Sequence, residues 1–180
     1  MRETKKIKKG YVQLYTGNGK GKTTAALGLA LRACGHGIRT YIGQFMKALS
    51  YGESKAIRLL KPYIEIEKYG KKGFVHVKGA PDEKDIELAK KGLEKAKKAL
   101  FSGRYGIVIL DEVITAIHFG LISKEEILDL IKRKPEGVEL VLTGRYAPED
   151  IVCASDLVTE MKEVKHYYSK GVLARRGIEY

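Results

Sequence analysis

A chain of 180 residues with 44% hydrophobic content can bury one substantial core, and no apolar run approaches the ~20 residues of a membrane span, so one domain over residues 1–180 in the cytoplasm is expected. Cys34 and Cys153 lie far apart with no C-x-x-C or Cys/His ligand spacing, which excludes a zinc-type site and predicts free buried thiols in a reducing compartment. The formal charge of +12 invites anionic partners, but part of it sits in an N-terminal arm and part on a helix face where positive and negative charges interleave between Asp82 and Lys98.

Residues 1–9 are read as that basic, mobile arm, without an apolar stretch that would make them a leader. Gly10 to Thr16 follows as a buried strand, carrying Tyr11, Val12, Leu14 and Tyr15. It runs into Thr16-Gly17-Asn18-Gly19-Lys20-Gly21-Lys22-Thr23-Thr24, where three glycines in five residues turn successive backbone N–H groups towards one point. Lys22 adds a mobile cation and Thr23 a hydroxyl suited to Mg²⁺. A helix from Thr23 to about Cys34 aims its positive dipole end at the same place. The guest such a loop suits is a polyphosphate. The first glycine stands one place late for G-x-x-x-x-G-K-[ST], so the loop is a P-loop variant.

Ala25, Ala26, Gly28, Ala30 and Ala33 make the first helix thin enough to lie close to a sheet, and Gly35-His36-Gly37 ends it. Thr40 to Phe45 is a second strand, whose end opens on Gln44-Phe45-Met46-Lys47. A short helix from Glu53 to Leu60 and a short strand from Ile64 to Glu67 lead into a glycine-rich stretch, Tyr69 to Ala80. Its Phe74, Val75, His76 and Val77 form either a small packed strand or a hydrophobic lid. Pro81 and the cap residue Asp82 open a helix to Ser102.

The run Gly106-Ile107-Val108-Ile109-Leu110-Asp111-Glu112 has the unbroken aliphatic character of a central parallel strand and delivers two carboxylates at its C-terminal edge, the Walker B pattern. Asp111 is expected to partner Thr23 around a cation. Ser123 to Glu126 forms a capping box for a further helix. Val138 to Leu142 is another strand, ending in Thr143-Gly144-Arg145, where the guanidinium suits a phosphate or a structural salt bridge. Leu157 to Glu160 is a last edge strand, and residues 164–180 form a C-terminal tail. The alternation predicts a three-layer α/β domain with a mostly parallel sheet, a P-loop NTPase fold. It is RecA-like if another strand separates the first from the Walker B strand. Loop and carboxylates alone permit an ATPase, kinase, GTPase or nucleic-acid motor, although no guanine-reading N-K-x-D and no arginine-rich lid is present.

Taken together, the shortened loop, Arg32-Ala33-Cys34-Gly35-His36-Gly37, Gln44-Phe45-Met46-Lys47, Gly73-Phe74, Leu110-Asp111-Glu112, Thr143-Gly144-Arg145, Ala154 to Met161, Lys165-His166 and Gly177-Ile178-Glu179-Tyr180 resemble the P-loop type of cob(I)alamin (corrinoid) adenosyltransferases over almost the whole chain. The resemblance implies that Co(I) of a corrinoid attacks the 5′ carbon of ATP and expels triphosphate. It implies ATP as co-substrate with Mg²⁺ or Mn²⁺, an electron-donating reductase or flavodoxin-like protein, a homodimer, and neither a membrane nor a nucleic-acid partner. Within the matching motifs, Asn18, Gly19, Lys20, Gly21, Lys22, Thr23, Thr24, Arg32, Gln44, Phe74 and His166 are expected to bind nucleotide or corrinoid. Lys22, Glu112 and Arg145 are expected to serve the reaction, and Thr23, Asp111 and Glu112 the cation. The chain departs from the family pattern at His76, where tryptophan is expected, at Ala48 in place of glycine, and at Arg175-Arg176. The competing reading is a P-loop ATPase acting on nucleic acid or as a regulatory switch; a nucleotide-dependent corrinoid carrier is a third.

Overall fold

The computed structural model describes residues 7–47, 52–71 and 81–179. In chain order the elements are β1 (Val12–Thr16), α1 (Lys22–Gly35), β2 (Thr40–Phe45), α2 (Gly52–Arg58), β3 (Ile64–Tyr69), α3 (Glu83–Phe101), β4 (Ile107–Asp111), α4 (Val113–His118), α5 (Lys124–Arg133), β5 (Glu139–Thr143), α6 (Glu149–Ala154), β6 (Leu157–Glu160) and a 3₁₀ turn, Tyr167–Lys170. The six strands form one sheet in the order β3-β2-β4-β5-β1-β6. Every pairing is parallel, so the C-terminal ends of all strands open on one edge. β5 separates β1 from β4, which meets the condition set for the RecA-like arrangement.

Strict alternation along the central strands divides their side chains between two cores. Val108 and Leu110 of β4, with Leu140 and Leu142 of β5, pack against α3, α4, α5 and α6 through Leu93, Leu100, Ile114, Ile127 and Ile151. Ile107, Ile109 and Val141 face the other way, onto Ala26, Ala30 and Ala33 of α1 and Ile57 of α2. Helices on both faces complete the three layers. Each fully buried aliphatic side chain contributes about 1.5–3 kcal/mol relative to exposure, and the small residues of α1 let its backbone reach the sheet closely. The capping box at Ser123 and Glu126 and the Asp82 cap, whose Oδ1 accepts from the Lys84 N–H at 2.8 Å, form as read from the sequence.

Other expectations are corrected. Cys153 is exposed and Cys34 only half buried, so neither is a core thiol. Of the stretch read as a basic arm, residues 1–6 lie outside the described residues, and Ile7 packs against the α1-side core. Cys153 lies in α6, in keeping with the helical pattern around it, and the short helix α4 is an addition to the elements read from the sequence. Among the described residues no helix is long and apolar enough to cross a membrane.

At the β2–β3 margin the polar groups are aromatic. Tyr41 donates to the Tyr69 hydroxyl at 2.5 Å, and Tyr69 in turn donates to Glu67 Oε2 at 3.0 Å. Burial pushes the Tyr41 hydroxyl up to about 12; burial and the neighbouring Glu65 do the same for Tyr105, and Tyr69 is raised too. An unfolded tyrosine loses its proton near 10. The folded state therefore holds more protons between these values, and its stability is complete below pH 10 and lost as the pH climbs towards 12. Denaturant titrations from pH 8.5 to 11.5 are expected to show this loss, and Tyr41→Phe is expected to shrink it; an equal loss in the variant would show that Tyr41 does not drive it.

Candidate active site

The loop between β1 and α1 is seated by the strand beside it. Gly19 N–H donates to the Met161 carbonyl at 2.6 Å and Met161 N–H to the Thr16 carbonyl at 2.8 Å, so the exit of β6 fixes the loop's outer side. Gly17 and Gly21 have φ of 93° and 124°, in the region that favours glycine. A Cβ at Gly17 or Gly19 would lie 2.5 or 2.7 Å from the Met161 carbonyl oxygen, so the spacing of the glycines is a packing requirement as well. Lys22 Nζ donates to the carbonyls of Gly17 at 2.7 Å and Gly19 at 2.8 Å, which folds the ammonium across the loop's mouth. Burial holds its pKa below the ordinary lysine value; Arg145 adds to this, and Glu112 and Asp111 oppose it.

Asp111 is only 1% exposed and its carboxylate is fully engaged. Oδ1 accepts from the Thr23 hydroxyl at 2.9 Å and the Thr143 hydroxyl at 2.7 Å. Oδ2 accepts from Gln44 Nε2 at 2.9 Å and Lys47 Nζ at 2.8 Å. Burial alone would push this carboxyl up, but the Lys47 charge, its hydrogen bond and those from Thr143 and Gln44 hold it below its ordinary value. The Lys47 ammonium also donates to the Thr23 hydroxyl at 3.1 Å, so a positive charge already sits between hydroxyl and carboxylate. These are oxygen donors of the kind a hard divalent cation takes, and the residues fit one. Among the described residues no three His, Cys, Asp or Glu side chains are placed to hold a metal ion together, so a cation held here would complete its shell from phosphate and water.

Glu112 follows in the left-handed region, φ 61°, and its Oε2 accepts from the Thr115 hydroxyl at 2.6 Å. That hydroxyl also accepts the Arg145 N–H at 3.0 Å. Gly144 allows the approach, since a Cβ there would stand 2.5 Å from the Thr115 nitrogen. The Arg145 guanidinium is exposed and has no ion pair among the described residues, so the salt-bridge alternative is not realised there.

Above these groups lies a cavity of about 630 Å³. Its walls include Asn18, Gly19, Lys20, Gly21, Lys22, Thr23, Thr24, Glu112, Arg145 and His166, which the fold thus brings together. Asp111 and Gln44 lie beneath it, and Gln44, 0% exposed, acts as a strut for Asp111 instead of a wall. Arg32 falls outside: it is exposed in the last turn of α1, ten residues or about 15 Å along the helix from Lys22. Phe74 and His76 lie outside the described residues.

The tail supplies walls to which the sequence assigns no site role, although Gly177-Ile178-Glu179 stands among the matching motifs. Glu163, Gly177, Ile178 and Glu179 line the cavity, as do Lys47 and Glu53. Lys20 turns outward to Glu179 Oε1 at 2.8 Å and the Tyr167 hydroxyl at 3.2 Å, away from the loop's interior. Hydrogen bonds from Lys20 and Tyr167 hold the Glu179 carboxyl well below the usual carboxylate range. His166 Nδ1 accepts from the Tyr168 N–H at 3.0 Å, capping the 3₁₀ turn.

The sequence matches the model of the family described as ATP:corrinoid adenosyltransferase BtuR/CobO/CobP over residues 8–180. It is 36% identical to a corrinoid adenosyltransferase from Sinorhizobium sp, with 98% of this chain and 83% of that protein covered. It is 34% identical to one from Escherichia coli K12 and 33% identical to corrinoid adenosyltransferase CobA from Salmonella typhimurium, each comparison covering 96% of this chain and 86% of the relative.

Two glycines separate packing from propensity. Gly19→Ala must push against the Met161 backbone and is expected to lose about 1–3 kcal/mol of stability and to weaken nucleotide binding. Gly28→Ala, on the exposed side of α1 with nothing within 4 Å, is expected to gain about 0.5–1 kcal/mol. Chemical denaturation of both variants checks the pair; matching signs would refute the packing account of Gly19.

Proposed function

The chain belongs to the ATP:corrinoid adenosyltransferase family, and from that premise we propose how its residues divide the work of moving the 5′-deoxyadenosyl group of ATP onto the cobalt of a reduced corrinoid. The protein is a transferase acting on corrinoids. The observation that carries the reading is the family match across residues 8–180, which spans the loop, both carboxylates, Arg145 and the tail that line or underlie one cavity.

In the reaction, the electron pair of Co(I) forms the bond to C5′ while the bond from C5′ to the phosphate oxygen breaks, and inorganic triphosphate leaves with the electrons of that broken bond. Negative charge grows on the departing chain. The N–H groups of the glycine loop are preorganised for it, and Lys22 exchanges the carbonyls of Gly17 and Gly19 for phosphate oxygens. Arg145, which lines the cavity and has no ion pair among the described residues, adds a second cation. A Mg²⁺ or Mn²⁺ ion bound by Thr23 and Asp111, with Glu112 close by, would supply further positive charge against the leaving group. No water needs activation, and Glu112 is tied to Thr115. Because Co(I) is itself a strong nucleophile, the protein's main contributions are alignment and the exclusion of water.

Phe74 is assigned to the corrinoid face and His166 to substrate contact at the cavity wall. We further assign residues 1–180 to a single nucleotide-binding domain that works in the cytoplasm as a homodimer, supplied with electrons by a reductase or flavodoxin-like protein.

Incubation with ATP, Mg²⁺ and chemically reduced cobalamin is expected to yield a light-sensitive adenosyl-corrinoid and triphosphate in equal amounts. ADP and phosphate as products, stimulated by RNA or DNA, would overturn the reading. Lys22→Ala is expected to lower the rate at least about 100-fold, the scale of losing one preorganised charge stabiliser; near-normal turnover would remove the loop from the mechanism.

A further inference from the structure

Lys47 ends the motif after β2, and the reaction described above gives it no task. Its side chain is only 20% exposed and closes the fourth hydrogen bond on Asp111. Gln44 and Thr143, both 0% exposed, and Thr23, in the first turn of α1, belong to sheet and helix and cannot withdraw without disturbing the core. Lys47 follows Met46, whose φ is 57°, just past the end of β2, and lines the cavity. Of the four donors it alone reaches Asp111 from the cavity side on a flexible chain.

We propose that Lys47 is a built-in competitor for the cation position at Asp111, which makes divalent-cation binding conditional on the arrival of polyphosphate. The inference rests on the reading of Thr23 and Asp111 as the cation-holding pair. Lys47 Nζ stands 2.8 Å from Asp111 Oδ2 and 3.1 Å from Thr23 Oγ1, on the same two side chains whose oxygens would ligate the cation. Two cations on one carboxylate repel strongly in a site this poorly solvated. The Lys47 ammonium also neutralises the Asp111 carboxylate that would draw a divalent ion in, and of the other charged groups at the cavity Glu112 and Glu53 are offset by Lys22 and Arg145. A polyphosphate changes both conditions, since it brings several negative charges that attract the ion and offers the ammonium new acceptors in the same cavity. Lysine suits this exchange: its compact charge rides on four rotatable carbons, whereas an arginine fork would hold the carboxylate bidentately. Lys47 is in this sense a positioning residue, acting on substrate through the ion that Asp111 holds.

The probe is Mn²⁺, followed by electron paramagnetic resonance with and without ATP, on the full chain. Wild type is expected to retain protein-bound Mn²⁺ weakly alone and at least ten-fold more tightly with ATP present. Lys47→Met, which keeps the apolar stem, is expected to bind Mn²⁺ alone at least ten-fold more tightly than wild type. Lys47→Gln provides the same test if the methionine variant fails to fold. Lys47→Arg is expected to restore the weak wild-type value, and adding Asp111→Asn to Lys47→Met is expected to abolish the gain. Equal Mn²⁺ affinity of wild type and both neutral variants without nucleotide, while ATP-dependent binding persists, would overturn the proposal and leave the cation site standing. Failure of wild type to retain Mn²⁺ even with ATP would remove the Thr23 and Asp111 site and the proposal with it.

Discussion

A single ionised carboxylate at the C-terminal end of β4 organises this site. Removing Asp111 from water costs several kcal/mol unless its charge is answered, and the structure answers it from four directions: Thr23 on α1, Gln44 on β2, Lys47 beyond β2 and Thr143 on β5. These donors come from segments far apart in sequence, so the carboxylate works as a tie between neighbouring elements. Thr143 extends the tie by accepting the Glu112 N–H at 2.9 Å, which sets the direction in which the chain leaves β4. The buried charge gives geometry more than stability, since each donor is placed within hydrogen-bond reach of one point beneath the cavity floor.

That arrangement depends on strand order. Because β4 lies between β2 and β5, its last residue is flanked by Gln44, its partner across the β2 register, and by the end of β5. Because β1 lies between β5 and β6, the glycine loop leaves the sheet beside Met161 and is braced there. The same edge receives the tail, whose Glu179 takes the outward-facing Lys20. The two loop lysines thus have opposite surroundings: Lys22 is 6% exposed and held by carbonyls, and Lys20 is exposed and held by a carboxylate. Sequence spacing places both in the loop, and only the fold separates a cation folded over the loop from a tail-facing one.

Much of the architecture was legible because its signals are local. β2 appears at Thr40–Phe45 as read, β4 and β5 within a residue or so, and the caps at Asp82 and Ser123 are carried by side chains next to the turns they close. α4 was missed for a physical reason: Val113, Ile114, Thr115 and Ile117 are β-branched and disfavour helix, and no side chain caps its start. It forms because Val113, Ile114 and Ala116 are fully buried against the sheet, a gain local propensity cannot register. In the site, the motifs are visible in the sequence, whereas the direction each side chain takes follows from the fold. Gln44, read as a ligand contact, donates to Asp111 beneath the cavity, opposite it in the β2–β4 register. Arg32, read as a binding residue, stands in the last turn of α1, far from the loop, and Glu179 is recruited across more than 150 residues of sequence.

The adjacent carboxylates Asp111 and Glu112 show how backbone conformation assigns roles. In a continuous strand, successive side chains point to opposite faces, and one of the pair would be driven into the packed core. Here the strand stops at Asp111 and Glu112 enters the left-handed region at φ 61°, a conformation that disfavours residues with a Cβ by roughly 1–2 kcal/mol. The Thr143 hydroxyl on the Glu112 N–H and the Thr115 hydroxyl on its carboxylate offset that strain and make the turn specific. Asp111 keeps the buried position under the loop, and Glu112 is delivered to the cavity wall beside Arg145. A hydrolytic enzyme uses a carboxylate there to orient water. In this chain the Thr115 hydroxyl occupies Glu112 Oε2 and also receives the Arg145 N–H, coupling the acid to the arginine loop.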